Sequence, residues 1–177
     1  MNDKINQEEK YMARCLLKLK IYQSEGKVFE NLFIAIMTRF NKNIRPIKPQ
    51  GNIGDRKNDG FDSINGIYYQ IYAPEDIRIK QYESLKKLKT DFVGLCNFWN
   101  NICKIKEFYY VINDKYRGVY PETEKSLSEL KIQYPNVNFD LFLSKNLEDV
   151  FINLPKEEMI HVIGYIPSPD KIEDIGY

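Results

Sequence analysis

Apolar residues recur along this chain with two different periods, and the change between them predicts the order of its elements. In residues 7–22 and 26–40 they are spaced three and four apart, which is typical of amphipathic helices. The predicted stripes comprise Met12, Cys15, Leu16, Leu19 and Tyr22 in the first helix and Phe29, Leu32, Phe33, Ile36 and Phe40 in the second. Ser24 is the expected N-cap of the second helix, because a serine oxygen can accept a hydrogen bond from an N-terminal N–H.

From residue 43 the pattern changes to short runs that favour strands. Residues 43–50 contain Ile44 and Ile47 together with Pro46 and Pro49, which predicts a short strand leading into a loop. Asn65-Gly66 is a strong hairpin signal, because Asn and Gly tolerate the positive φ of a tight turn. The arm after this turn, residues 67–72, is rich in tyrosine and isoleucine and predicts a second strand.

The second half of the chain alternates helical and extended patterns. Pro74 ends the hairpin and can open a long helix that runs to about Cys103. The predicted buried stripe of that helix is Leu85, Leu88, Phe92, Leu95, Trp99 and Ile102. Residues 108–113 form an apolar strand of the kind found inside a sheet with both faces covered.

A further helix and strand follow, and together they define the fold class. Residues 122–133 predict a helix, and residues 137–143 alternate as a strand does. Asn146 is expected to be the N-cap of a short helix, with the Asp149 side chain accepting the backbone N–H of Asn146. Residues 156–163 predict a last helix. The order predicts an α/β protein with a mixed central sheet flanked by helices. Its last two strands should be parallel neighbours, because a helix separates them.

Composition fits an ordinary globular protein. Of 177 residues, 43% are hydrophobic and 29% are charged. We predict one domain over residues 1–177, because this length suits one core. Its parts are an N-terminal helix in 1–24, a candidate catalytic core in 25–72, a helix-strand-helix-strand half in 73–154, and a C-terminal helix and tail in 155–177.

Net charge, cysteine content and hydropathy limit the kinds of partner and cellular compartment that the sequence predicts. A net charge of +1 gives no global attraction to nucleic acid, so any such site must be a local basic patch. Cys15, Cys96 and Cys103 are odd in number and widely spaced, which predicts reduced thiols rather than a disulfide framework or zinc site. Residues 1–9 are polar and no apolar run is long enough to span a membrane, which predicts a cytoplasmic protein with no membrane partner.

The stretch with chemical content combines a turn-rich segment and the following hairpin. It reads Gly51-Asn52-Ile53-Gly54-Asp55-Arg56-Lys57-Asn58-Asp59-Gly60-Phe61, and then Tyr69-Gln70-Ile71-Tyr72. An acid on one hairpin arm and an oxygen ligand on the next can converge on one Mg²⁺, which prefers hard oxygen ligands. The alternative is a plain turn, since Gly, Asn and Asp favour turns on backbone grounds alone.

Two other classes of site are disfavoured. His161 is the only histidine, which excludes a histidine-based triad or a multi-histidine metal site. Residues 51–60 lack the Gly-Lys-Ser/Thr ending of a phosphate-binding loop. Asp55 and Asp62 are expected to be solvated turn residues rather than ligands.

The arrangement resembles the PD-(D/E)XK nuclease superfamily, as in type IV restriction endonucleases. That family pairs a helix glutamate with a Gly-Asp-rich turn carrying the catalytic Asp, and a hairpin then leads to Glu-x-Lys or Gln-x-Lys. Within residues 25–72 the matching positions are Glu30, Asp59 and Gln70, whereas Tyr72 stands at the lysine position. Residues 69–75 and 108–154 also look like nuclease-like domains of bacterial phage-defence systems.

The resemblance implies a Mg²⁺- or Mn²⁺-dependent DNA endonuclease in bacterial restriction or phage defence. Asp59 and Gln70 would hold the metal, and Glu30 would orient water or a second ion. A tyrosine is ordinarily neutral at pH 7, so Tyr72 cannot supply the charge of the family's lysine. Lys57, two residues before Asp59, is the expected substitute, and Lys48 is the second candidate.

The remaining expectations concern partners. Lys48, Arg56 and Lys86 are the candidate DNA contacts, although a solvated face explains basic residues of the long helix equally well. The same interpretation allows for other subunits or domains of a defence system, and for a homodimer. The alternative function is a catalytically degenerate nuclease fold that binds nucleic acid or a partner protein, and Tyr72 is its best support.

Overall fold

The computed structural model describes residues 5–48, 57–75 and 77–166, with residues 77–84 and 87 described by their backbone alone. Within these stretches the helices are α1 (Gln7–Gln23), α2 (Gly26–Phe40), α3 (Ile77–Trp99), α4 (Pro121–Gln133), α5 (Ser144–Phe151) and α6 (Lys156–Ile163). The strands of the same stretches are β1 (Ile44–Pro46), β2 (Gly60–Asp62), β3 (Ile67–Tyr72), β4 (Glu107–Ile112) and β5 (Asn138–Phe142). Among the helices described, none is long and apolar enough to cross a membrane.

The described strands form one open mixed sheet in the order β1-β2-β3-β4-β5. β1 pairs antiparallel with β2, and β2 pairs antiparallel with β3, as the short turn between β2 and β3 requires. β3, β4 and β5 pair parallel, because α3 and α4 carry the chain back between them. The predicted α/β class, the antiparallel hairpin and the parallel pairing of β4 with β5 are therefore confirmed.

The two faces of the sheet bury separate apolar cores. β3 alternates between them: Tyr69 packs in the core formed with α1, α2, α5 and α6, and Tyr68 packs in the core formed with α3 and α4. α2 and α3 therefore lie on opposite faces of the sheet. Most of the predicted stripes of α2 and α3 are buried, but their ends are not, since Phe40 and Ile102 are exposed.

The stripe predicted for α1 is wrong by about one position. Ala13, Leu17 and Ile21 are fully buried, whereas Leu19 and Tyr22 are 54% and 47% exposed. Apolar residues cover most of the circumference of this helix, so periodicity alone allowed two neighbouring faces. Packing against the sheet-covering helices α5 and α6 selects the face that is buried.

Both predicted helix caps are also wrong. The Ser24 hydroxyl donates to the carbonyl of Lys20, so it serves the end of α1 and not the start of α2. Asn146 lies in the first turn of α5, where its Oδ1 accepts the backbone N–H of Leu143 at 2.8 Å. The polar side chains are used at these helix ends, but from positions that sequence spacing did not identify.

Asp62, expected to be solvated, is fully buried at the end of β2. Its Oδ1 accepts the backbone N–H groups of Ile64 and Asn65 at 2.9 and 3.0 Å. Its Oδ2 accepts the side-chain amides of Asn41 and Asn65 at 2.9 and 2.7 Å. Burial acts to raise the pKa of Asp62, but the four hydrogen bonds outweigh it and hold the pKa below its usual range.

Asp62→Asn should lower the free energy of unfolding at pH 7 by about 1–2 kcal/mol, because hydrogen bonds to a charged acceptor are the stronger ones. The folded-state pKa is depressed, so this stabilisation is complete above about pH 4 and is lost as pH falls through the folded pKa. Urea unfolding at pH 7 and pH 3 measures the effect. Asp140→Asn, at an exposed position of β5, is the control. A difference of equal size at both pH values would contradict a role for the charge.

Candidate functional site

Asp59 lies where the pairing of β2 with β3 ends. Its backbone N–H donates to the carbonyl of Tyr69 at 3.1 Å, one step beyond the Gly60–Tyr69 pair. Its Oδ2 then accepts the N–H of Ile71 at 2.6 Å. A carboxylate thus takes the place that a backbone carbonyl has in a continuing ladder, which fixes Asp59 in the plane of the sheet beside β3.

Lys57 turns the chain just before Asp59. Its φ of 66° lies in the left-handed region, an uncommon conformation for a residue with a side chain and one that recurs at functional sites. Its Cγ lies 3.6 Å from where a Cβ on Gly94 would be, so the side chain runs along α3. The Nζ atom reaches Asp91 of α3, with 3.1 Å between Nζ and Oδ1.

Asp91 connects Lys57 to Gln70. The Asp91 Oδ2 accepts a hydrogen bond from Nε2 of Gln70 at 3.0 Å, while Oδ1 pairs with Lys57. Asp91 and Gln70 are both buried. The Lys57–Asp91–Gln70 chain therefore joins the loop before β2, the helix α3 and the strand β3 at one point.

Asp91 is not among the site residues predicted from the sequence, although a signal was present. Asp91 lies in the middle of the predicted α3 stripe, three residues after Leu88 and four before Leu95. A carboxylate at such a position is unusual, because a buried charge needs a partner. That partner, Lys57, is far away in sequence, so only the folded structure identifies it.

Two buried side-chain amides, those of Asn58 and Gln70, lie close to Asp59 in the chain and on the neighbouring strand, respectively. The Oε1 atom of Gln70 has no hydrogen-bond partner among the residues that the structure describes. The same holds, within that part of the chain, for both polar atoms of the fully buried Asn58 amide. Buried polar atoms are normally paired, so each of these is a position where a ligand or ordered water is expected to bind.

The helix that carries Glu30 approaches from the other face of the sheet. α2 begins beside the end of β3, where the Gly26 N–H donates to the carbonyl of Ala73 at 2.6 Å. One turn after Glu30, Cδ1 of Ile34 lies 3.0 Å from where a Cβ on Gly60 would be. Glu30 is therefore about 6 Å back along the helix, toward the C-terminal end of β3.

Glu30 and Asp59 thus lie toward the same end of β3, but Gln70 is directed to α3 on the opposite face. The Glu30 side chain is 21% exposed and forms an ion pair with Lys27. The contacts above join Lys57 to Gln70 through Asp91, and they place the Asp59 carboxylate beside Ile71, the residue after Gln70. For Glu30 the structure establishes only that the residue lies toward the C-terminal end of β3. Its catalytic role stays a prediction.

Tyr72 occupies the position where the resemblance expects lysine. Its ring packs in the core under α3 and α4 and stacks on Tyr110, with ring centroids 6.0 Å apart and planes at 16°. Tyr72 and Gln70 face the same side of β3, as residues two apart do. The side chain is partly buried, so sheet packing accounts for much of its contact surface.

The candidate DNA contacts are only partly described. Lys48 and Lys86 are exposed, as phosphate contacts need to be. Arg56 lies outside the described residues, and so does Asp55. The DNA-binding role of all three basic residues stays a prediction.

The described part of the chain contains no cluster of three or more His, Cys, Asp and Glu side chains able to hold a metal. Mg²⁺, however, is commonly held by one or two protein oxygens and keeps several waters. The Asp59 carboxylate, just before β2, and the Oε1 atom of Gln70, on β3, are oxygens of the chemical type that Mg²⁺ prefers. Comparisons of the chain with protein-family models, with curated proteins and with solved structures found no match.

Proposed function

We propose that this chain is a divalent-metal-dependent DNA endonuclease domain of the PD-(D/E)XK type, acting in bacterial restriction or phage defence. The observation that carries the proposal is the pairing of Asp59 with β3. The carboxylate is fixed by the N–H of Ile71, next to Gln70, whose buried Oε1 lacks a partner among the described residues. An acid just before β2 and a neutral oxygen donor on β3 thus lie at the end of one strand pair, which supports the arrangement that the resemblance implies.

The order of elements supports the same proposal. A helix bearing Glu30 precedes an antiparallel three-strand meander, and a helix then leads to a strand parallel to β3. This is the order that the resemblance implies for the core of such a nuclease. Because many functions share one fold, the order supports the proposal only together with the site residues.

The residues present fit Mg²⁺ or Mn²⁺. Both candidate ligands are hard oxygens, and neither is a sulfur or an imidazole, which softer metals favour. A divalent metal at this position would polarise a phosphodiester and help to form the attacking hydroxide. Asp59 would supply the negative charge that holds the ion, Gln70 a neutral ligand, and Lys57 a positive charge beside them.

DNA binding would depend on local charge. The chain as a whole carries +1, so phosphate contacts must come from particular basic residues. Lys48 and Lys86 are exposed and available for that role. Such contacts would position the backbone of the DNA without reading its sequence.

Two observations favour the alternative, a degenerate nuclease fold used for binding. Tyr72 is packed against Tyr110, and Lys57 already neutralises Asp91. If neither residue supplies a charge to the reaction, the site would hold a metal or a nucleic acid without cleaving it. The two proposals therefore share one scaffold and differ in the chemistry of residues 57 and 72.

Metal-dependent cleavage is the deciding measurement. The purified chain should cut double-stranded DNA when Mg²⁺ or Mn²⁺ is present and should lose the activity in EDTA, because the proposed reaction needs a divalent metal. Plasmid and linear DNA distinguish endonuclease from exonuclease cleavage, and RNA of the same sequence tests the choice of nucleic acid. Cleavage that persists in EDTA would contradict the proposal. DNA binding that ignores metal, with no cleavage of any substrate, would support the alternative.

A further inference from the structure

Resting on the proposed function, we infer that Asp91 is a positioning residue that decides which atom of the Gln70 amide faces the metal. Gln70 can present either an oxygen or an NH₂ group in a given direction, because its two ends have almost the same shape. Only the oxygen can bind a metal. A site that uses glutamine as a ligand therefore needs a neighbour that fixes the amide in one orientation.

Asp91 has the chemistry for this task. A carboxylate accepts hydrogen bonds and does not donate them, so the atom of Gln70 that lies 3.0 Å from Asp91 Oδ2 has to be the Nε2 donor. The Oε1 atom then points to the other side of the amide. That is the atom with no hydrogen-bond partner within the described residues, although it is buried.

Asp91 is itself held in place. Its Oδ1 lies 3.1 Å from the Nζ of Lys57, so the carboxylate is fixed from two sides. Its neighbours in the α3 stripe, Leu88, Phe92 and Leu95, are fully buried, which keeps this part of the helix rigid. Partners that orient a metal ligand in this way typically change metal affinity by 10–100-fold when they are replaced.

Asp91→Asn is the direct test, because it changes almost no atom positions but exchanges an acceptor for a donor. The new amide can keep its oxygen toward Lys57, and its NH₂ group then faces Gln70. Two NH₂ groups repel, so the Gln70 amide should rotate and present its own NH₂ to the metal. The Mn²⁺ dissociation constant, measured by calorimetry on the folded protein, should rise by about 10–100-fold.

A second substitution should reverse this effect. In the Asp91→Asn background, Gln70→Glu restores an acceptor facing the new NH₂ group and leaves a second oxygen for the metal. In the wild-type background the same Gln70→Glu change places two carboxylates in contact. The gain in Mn²⁺ affinity from Gln70→Glu should therefore be at least about tenfold larger in the Asp91→Asn background than in the wild type, as a double-mutant cycle measures.

Asp114→Asn is the matched control for burial. Asp114 is 6% exposed, against 4% for Asp91, and its two oxygens accept the backbone N–H groups of Ser144 and Gly118 at 2.9 Å. This substitution should lower the melting temperature and leave Mn²⁺ affinity unchanged. If Asp91→Asn behaved like Asp114→Asn, or if Gln70→Glu had the same effect in both backgrounds, the positioning role would be overturned.

The same titrations separate this inference from the proposed function. If the wild type binds no Mn²⁺, the proposed function and the inference fail together. If the wild type binds Mn²⁺ but Asp91→Asn binds it equally well, only the inference fails. If the cycle shows the expected coupling but no nucleic acid is cut, Asp91 positions a metal ligand in a binding module and the nuclease proposal fails.

Discussion

Asp59→Asn should reduce metal-dependent DNA cleavage by at least about 10³-fold, because a metal ion supplies several kcal/mol of stabilisation to the reacting phosphate and each 1.36 kcal/mol is a factor of ten. The amide that replaces the carboxylate has an oxygen in the same place but carries no charge. It can still accept the N–H of Ile71, which Asp59 accepts at 2.6 Å. The variant should therefore keep its fold and lose the charge that holds the metal.

Asp59→Ala should abolish cleavage as well, but it also removes the acceptor for Ile71. A comparison of the two variants separates the charge from the hydrogen bond. Asp140→Asn removes one exposed carboxylate from β5 and should leave the rate near that of the wild type. Rates under single-turnover conditions, with circular dichroism to verify folding, give the result. An Asp59→Asn variant that keeps most of its activity would show that Asp59 is not a metal ligand.

Local signals predicted the framework of this site well. Asn65-Gly66 gave the hairpin, and the hairpin register places Tyr69 opposite Gly60, so that Asp59 and Gln70 come to the same end of two adjacent strands. The helix between β4 and β5 gave the parallel pairing of those two strands, since a short turn cannot return a chain to a parallel strand. Both predictions depend on residues close together in sequence.

What could not be predicted depends on partners distant in sequence. Asp62 resembles any turn aspartate, and only Asn41, 21 residues earlier, completes its buried hydrogen bonds. Asp91 meets Gln70, also 21 residues away, and pairs with Lys57 of the loop before β2. In α1 the choice of face was equally a matter of tertiary packing, because apolar residues surround most of that helix.

The residue that replaces the family's lysine was predicted from sequence, but its contacts were not. Sequence proximity suggested that Lys57 would act beside Asp59, in place of a lysine at position 72. The structure shows Lys57 held by Asp91, which is also bonded to Gln70. Its charge is thus fixed next to a candidate metal ligand, whereas the Tyr72 ring stacks on Tyr110. If Lys57 replaces the missing strand lysine, an active enzyme needs its charge, whereas a binding module does not.

Lys57→Ala should therefore lower the cleavage rate by about 10²-fold or more, the usual effect of losing one electrostatic or acid–base group. Lys145→Ala, which removes an exposed charge from α5, should have little effect and serves as the control. Tyr72→Lys should be tolerated, because the side chain is only partly buried, and should partly rescue Lys57→Ala by supplying a charge from the same face of β3. Single-turnover rates of the three variants and the double variant provide the measurement.

The rates of these variants distinguish an active nuclease from a binding module, and they test whether Lys57 supplies the catalytic charge. Rescue of Lys57→Ala by Tyr72→Lys would mean that the loop lysine has taken over the role of the missing strand lysine. Cleavage that appears only when Tyr72→Lys is introduced into an inert wild type would mean that the natural chain is a degenerate nuclease and acts by binding. Full activity in Lys57→Ala would mean that Lys57 only balances the charge of Asp91 and takes no part in catalysis. The catalytic charge would then have to come from another basic residue, and Lys48, exposed just after β1, is the next to replace.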